Sequence, residues 1–303
     1  MKMPEQILVV ISGKRKKHEA LERALKFAEY NDIHIHLFNS IYEPVLELTD
    51  VLSTEHREQM KEQHLADRRL YMNTLAEELS SQGIACSVRV EWHPHLHEII
   101  EKVVKELQPD LVIKRISAES MSINPFALPV DRHLIRYCQA PLLLVNQSEY
   151  SNSPILAAVD ILTSDTDHMS LNKDILESAK LFSHLYLAPL HVVNAFITHT
   201  VSAGIDFPML DMEQLNRNTE SYHREKLSEL LEKNHVETTP KQLHAVPGVP
   251  EVAIPQVVKQ LNCQLVIMGS VGRKGLSGAL LGNTAEAVLA ELNCEVLCLK
   301  PHH

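Results

Sequence analysis

The apolar positions of this chain fall into short unbroken runs separated by amphipathic stretches, and the series is written twice. Ile7–Ile11 (ILVVI) is apolar throughout, the pattern of a strand buried on both faces. His18–Tyr30 follows, with Ala20, Leu21, Ala24, Leu25 and Ala28 at helical spacing. Ile33–Asn39 reads as a second strand in which His34 and His36 alternate with Ile33, Ile35 and Leu37. Thr54–Ser81 is long and charged, with Met60, Leu65, Leu70, Leu75 and Leu79 marking the face expected to cover one side of a sheet. Ser87–Trp92, Leu96–Leu107 and Asp110–Ile116 continue as strand, helix and strand. Asp131–Cys138 and Pro141–Asn146 close the first series as helix and strand.

Gln147–Pro154 is polar and ends in proline, the composition of a linker. It separates a domain over 1–147 from one over 154–303, with 148–153 between them. The order then repeats: Ile155–Asp160 as strand, Leu171–Leu185 as helix, Leu187–Phe196 as strand, Asp211–Asn234 as the long helix and Gln242–Val246 as strand. Val249–Leu261 is the next helix, and Pro255 inside it is expected to kink it. Leu265–Met268 and Glu295–Lys300 are the last two strands. Strands alternating with helices predict an α/β fold of two tandem doubly wound domains, each a five-stranded parallel sheet flanked by helices. Ligands of such sheets lie beyond the carboxyl ends of the strands, at the switch point.

The stretch richest in chemistry is Gln264–Pro301. The strand ends in Gly269, a loop with Gly272, Gly275 and Gly278 follows, and Gly282-Asn283-Thr284 precedes a helix carrying Ala287, Val288 and Leu292. Asn283 or Thr284 is placed to cap that helix. A glycine loop between a strand and a helix N-terminus lets backbone N–H groups close on a phosphate. Gly269, Gly272 and Gly282 at this spacing, with Met268 ahead of them, resemble the nucleotide-binding signature of the universal stress protein family, most of all its tandem, UspE-type branch. The family has Ser or Thr after the last glycine; here Asn283 stands there, with Thr284 next, and Asn also donates to a phosphate oxygen.

The resemblance implies a strand order of 3-2-1-4-5 in each domain and an adenine nucleotide, ATP with magnesium, in the C-terminal one. Residue by residue, Asp160 matches the first-strand aspartate and Ala195 the second-strand position lining the adenine. Met268 and Gly269 match the end of the fourth strand; Gly272, Gly282, Asn283 and Thr284 match the phosphate and ribose cradle. Two positions keep two readings: Arg273 pairs with a phosphate or is a solvated loop arginine, and Asp160 is a ligand or a helix-capping carboxylate. The N-terminal copy departs from the signature. Aligning the final strands puts Arg115 where Gly269 stands, no glycine follows it up to the next helix, and Ser12 replaces Asp160. This half is not expected to bind ATP in the family's manner.

Length, at 303 residues, suits two domains of ordinary size, and 45% apolar with 22% charged residues marks a globular chain. The net charge is −10 and the longest basic run is Lys14–Lys17, which disfavours nucleic acid as a partner. No window approaches the ~20 apolar residues of a membrane span, and the first apolar run is too short for a signal peptide; a cytoplasmic location is expected. Five cysteines without a CxxC pair suggest core thiols, with no redox role.

Among eighteen histidines the densest group is Trp92-His93-Pro94-His95-Leu96-His97, and Asp131-Arg132-His133 opens the fourth helix of the first domain. Zinc takes such ligands, which makes Asp131 and His133 metal candidates, against the alternative of neutral surface histidines. The family's strand order places the third strand at the sheet edge, away from that helix, and so separates His93 from His133.

The function expected is a stress-response module acting through conformation and association. No Ser-His-Asp arrangement and no Walker lysine is present, so at most a weak ATPase is expected, with Asp160 holding magnesium. Ser12-Gly13-Lys14 faintly resembles the adenylating pyrophosphatases, whose glycine pair and aspartate–serine are absent. Ile197–Leu210 reads either as a lid over a lipid-like ligand or as a packing surface. The family's pairing of sheet edges implies an internal pseudo-dimer of domains and a further homodimer.

Overall fold

The computed structural model describes residues 2–48, 53–117, 130–146, 152–161, 166–197, 212–270, 285 and 294–301. The chain divides into two compact units, Met3–Ser148 and Glu149–His303.

In the first unit β1 (Gln6–Val10), α1 (Glu19–Ala28), β2 (His34–Ile41), a short α2 (Val45–Leu48) and the long α3 (Thr54–Ser81) are followed by β3 (Ala85–Trp92). Then come α4 (Leu96–Leu107), β4 (Leu111–Arg115), α5 (Val130–Tyr137) and β5 (Leu142–Val145). The strand order is β3-β2-β1-β4-β5, and every pairing is parallel. In β1, Ile7 faces Ile35 of β2 on one side and Leu111 of β4 on the other. Ile7, Leu8 and Val9 are wholly buried, which is why the strand reads as an unbroken apolar run.

The second unit repeats the plan. It contains β6 (Ile155–Ala158), α6 (Thr166–Tyr186), β7 (Leu190–Phe196), α7 (Met212–Lys233) and a 3-10 turn at Pro240–Gln242. They lead into β8 (Leu243–Pro247), α8 (Pro250–Leu261), β9 (Leu265–Gly269) and β10 (Glu295–Leu299). Its order is β8-β7-β6-β9-β10, again all parallel. Each unit therefore has the expected 3-2-1-4-5 order, with its switch point at the carboxyl end of the first strand.

One expectation changes. On α3 only Leu65, Met72 and Leu79 are buried, while Met60 and Leu70 are exposed. The anticipated stripe stepped by five residues, which walks around a helix; the observed one steps by seven, two full turns, and so stays on one face. In the second unit α8 runs without interruption through Pro255, and Pro250 occupies its start, where a missing N–H leaves nothing unsatisfied.

Candidate functional site

At the carboxyl ends of the central strands the second unit brings β6 and β9 side by side, Ala157 opposite Ile267. Asp160 follows β6, its N–H donating to Asn172 Oδ1 at 3.1 Å while Asn172 Nδ2 donates back to its carbonyl at 2.6 Å. Asn172 thus ties the end of β6 to α6. Beside it, Asn194 on β7 is buried; its Nδ2 donates to Val159 O at 3.0 Å and its Oδ1 lies 2.7 Å from His223 Nδ1. The buried His223 ring stacks on Phe196 at 4.4 Å. Ala195, next along β7, is buried opposite Val246.

On β9 the Met268 side chain is buried, and Gly269 has a packing reason of its own. A Cβ there would meet Leu171 Cδ2 at 2.5 Å, so the glycine is what lets α6 lie this close to β9. Ser270 comes next. Its N–H donates to Leu299 O at 3.0 Å, while its buried hydroxyl has no hydrogen-bond partner among the described residues. Gly272, Arg273, Gly282, Asn283 and Thr284 lie outside the described residues, as does all of the anticipated lid after Ile197. Ala285, helical and buried, is described within that stretch.

The first unit keeps the scaffold and changes the chemistry. Asn39 takes the place of Asn194, donating to Ile11 O at 2.5 Å, and Ser12 follows where the other unit has Asp160. Arg115, in the position of Gly269, is 3.0 Å from Glu19. Lys114, in the position of Met268, meets Asp131 at 2.6 Å with both side chains buried, and Asp131 Oδ2 accepts from Ser117 N at 2.7 Å. Lys114 also donates to Arg115 O and Ser117 Oγ, both at 2.9 Å. This carboxylate closes the turn after β4 from within.

His133 serves a separate contact: its Nε2 is 2.9 Å from Glu101, and its ring lies 4.0 Å from His97 and 4.6 Å from Tyr137. His97, unlike His93 just after β3, is carried by α4, and α4 packs on α5. Burial, and secondarily the neighbouring His133, lower the pKa of His97. Asp131 and His133 do not converge, and among the described residues no group of three or more His, Cys, Asp or Glu is placed to hold a metal. The Lys114–Asp131 pair and the Asn194–His223 contact escaped sequence reading. The repeated asparagine at the end of each second strand was the one signal available for the latter.

A sequence model described as "Universal stress protein family" matches residues 3–146 and again residues 152–300. The chain belongs to the universal stress protein family. Universal stress protein E of Salmonella typhi is 29% identical over 303 residues, covering 99% of this chain and 96% of that protein. The homologue from Haemophilus influenzae is also 29% identical, covering 98% and 97%. A protein of unknown function from Pseudomonas aeruginosa superposes with a TM-score of 0.73 at 29% identity, covering 98% of this chain and 93% of its own. A universal stress protein from Archaeoglobus fulgidus, 17% identical with a TM-score of 0.62, shares the fold over 99% of this chain and 97% of its own. Both units are therefore universal stress domains, joined in tandem as in the E-type members, and the family assignment is to the stress response. Among the described residues no helix is long and apolar enough to cross a membrane.

Proposed function

We propose that this universal stress protein binds an adenine nucleotide, ATP with magnesium, in its C-terminal domain and works in the cytoplasmic stress response by changing conformation and association rather than by fast chemistry. The observation that carries the reading is the Ser270 hydroxyl, buried and without a partner among the described residues just after β9. Buried polar groups are nearly always satisfied, and a phosphate or ribose oxygen at the carboxyl end of β9 would complete this one. Asp160 follows β6, which pairs with β9, and its carboxylate is of the kind that a magnesium ion takes. In the first domain the Lys114–Asp131 pair closes the turn after β4 and Arg115 stands in the position of Gly269, so no glycine-loop ATP site is proposed there.

Calorimetric titration of magnesium–ATP tests this on wild type, Gly282→Val and Ser270→Ala. The expected result is one site per chain, abolished by Gly282→Val and weakened about fivefold by Ser270→Ala, the worth of one hydrogen bond. Wild-type protein that takes up no nucleotide would remove the reading.

A further inference from the structure

We propose that the first domain carries an oligophosphate site of its own, built from Lys14, Lys16 and Lys17 in the loop between β1 and α1. The inference does not rest on the nucleotide reading of the second domain.

The loop Gly13–Lys17 leaves the carboxyl end of β1, with β2 on one side and β4 on the other, the switch point of this unit. Four consecutive cations occupy it in a chain of net charge −10. The matching segment of the second domain, Asp160–His168, holds three aspartates and no lysine or arginine. The two copies thus carry opposite charge in matching segments of their sequences.

All five residues from Gly13 to Lys17 are exposed. Arg15 is 3.8 Å from Glu19 and Lys14 lies 5.9 Å over the Tyr71 ring, while Lys16 and Lys17 have no ion pair among the described residues. The loop is also held. Tyr71 Oη accepts from Arg15 N at 3.2 Å, donates to Arg15 O at 3.0 Å, and sits 2.6 Å from His18 Nε2. Gly13 supplies the turn with φ +67. Four cations in one short loop repel one another, a cost in stability that a multiply charged anion would return. Glu19 is already engaged, lying against Arg15 and Arg115.

The chemistry selects the ligand class. Lysines are point charges that bind phosphate without demanding one geometry, and three within a single loop match an anion carrying several charges over a short length. A duplex needs a broad basic face, which an acidic chain with one such loop does not offer. The ligand is therefore an oligophosphate, either free or borne by a nucleotide.

Titration of inorganic tripolyphosphate, and separately of magnesium–ATP, into the full chain tests the site on wild type, Gly282→Val and the exposed triple variant K14Q/K16Q/K17Q, with circular dichroism verifying folding. At about 0.05 M salt, where screening is weak, tripolyphosphate should bind wild type and Gly282→Val alike and the triple variant at least about tenfold more weakly. The wild-type affinity should also fall more steeply with salt than the variant's. ATP binding at the lysine loop more tightly than tripolyphosphate assigns a nucleotide, and the reverse order assigns a free oligophosphate; either supports the site. Tripolyphosphate binding that is absent, that survives the triple variant, or that is lost only in Gly282→Val overturns it, and the last result would leave the second domain's site standing.

Discussion

Lys114 and Asp131 occupy the places that Met268 and Ala285 take in the other unit, counting back from the aligned strands Leu142–Val145 and Val296–Leu299, so the protein contains a buried ion pair beside its own apolar replacement. All four side chains are buried. Removing one charge from such a pair strands the other, whereas exchanging both for apolar groups is often neutral. Lys114→Met should therefore cost about 3–5 kcal/mol, and adding Asp131→Ala should restore most of it, less about 1 kcal/mol for the Ser117 N–H left without its acceptor. Urea unfolding followed by Trp92, in the same unit, measures both. A single variant as stable as wild type would sink the argument. The pair was not legible in the sequence. A lysine inside DLVIKRI names no partner, and an aspartate at the start of a helix reads as an ordinary response to the helix dipole. Gly269 was legible only as a glycine; that Leu171 fills the space its missing Cβ leaves needed the packing of α6.

Elements were read more fully than side chains, because periodicity fixes them locally. α4 spans Leu96–Leu107 and α3 Thr54–Ser81, the limits their patterns predicted, with the Ser53 hydroxyl accepting from His56 N as the cap of α3. The inward face of α3 differs from the predicted stripe, and the approach of His97 to His133 has no sequence signal, since both depend on how one element lies on another. The paired strands also set a pH response. His191 and His244, on β7 and β8, stack with Nδ1 and Nε2 2.9 Å apart, a hydrogen bond that requires one ring to be neutral. Burial lowers both pKa values, and His191 and then Arg224 lower that of His244 further. Burial likewise lowers His18, His36 and His97. Above their ordinary value of 6.5 both states are neutral and the full stability is present. As pH falls through 6.5 the unfolded chain takes up protons that the fold refuses, so stability declines until the lowered folded values are passed. The thermal midpoint should drop between about pH 7.5 and about pH 5.5. Hydrogen exchange should show β7 and β8 losing protection, and His244→Gln should reduce the drop. A midpoint that rises on acidification would contradict the assignment.

On the scale of the whole molecule, one scaffold is used twice with different chemistry at each switch point: an acid and a glycine loop in the second domain, a buried carboxylate and a basic loop in the first. Trp92, the sole tryptophan, gives the first domain its own reporter; its ring packs 5.9 Å from Tyr42 and its Nε1 donates to Glu47 at 3.3 Å. A ligand stabilises only the folded unit that binds it, and a concentration of about 100 Kd contributes about 2.7 kcal/mol. For a domain of this size that is a rise of roughly 5–10 °C. Tripolyphosphate should therefore move the Trp92 transition first, while magnesium–ATP should move a component of the far-UV circular dichroism melt that Trp92 does not report and that Gly282→Val removes. The two probes need not coincide in a chain of two units, and their separation is the measurement. Equal shifts of both probes with ATP alone would mean that the domains do not divide the ligands between them, and the asymmetry of charge would then need another explanation.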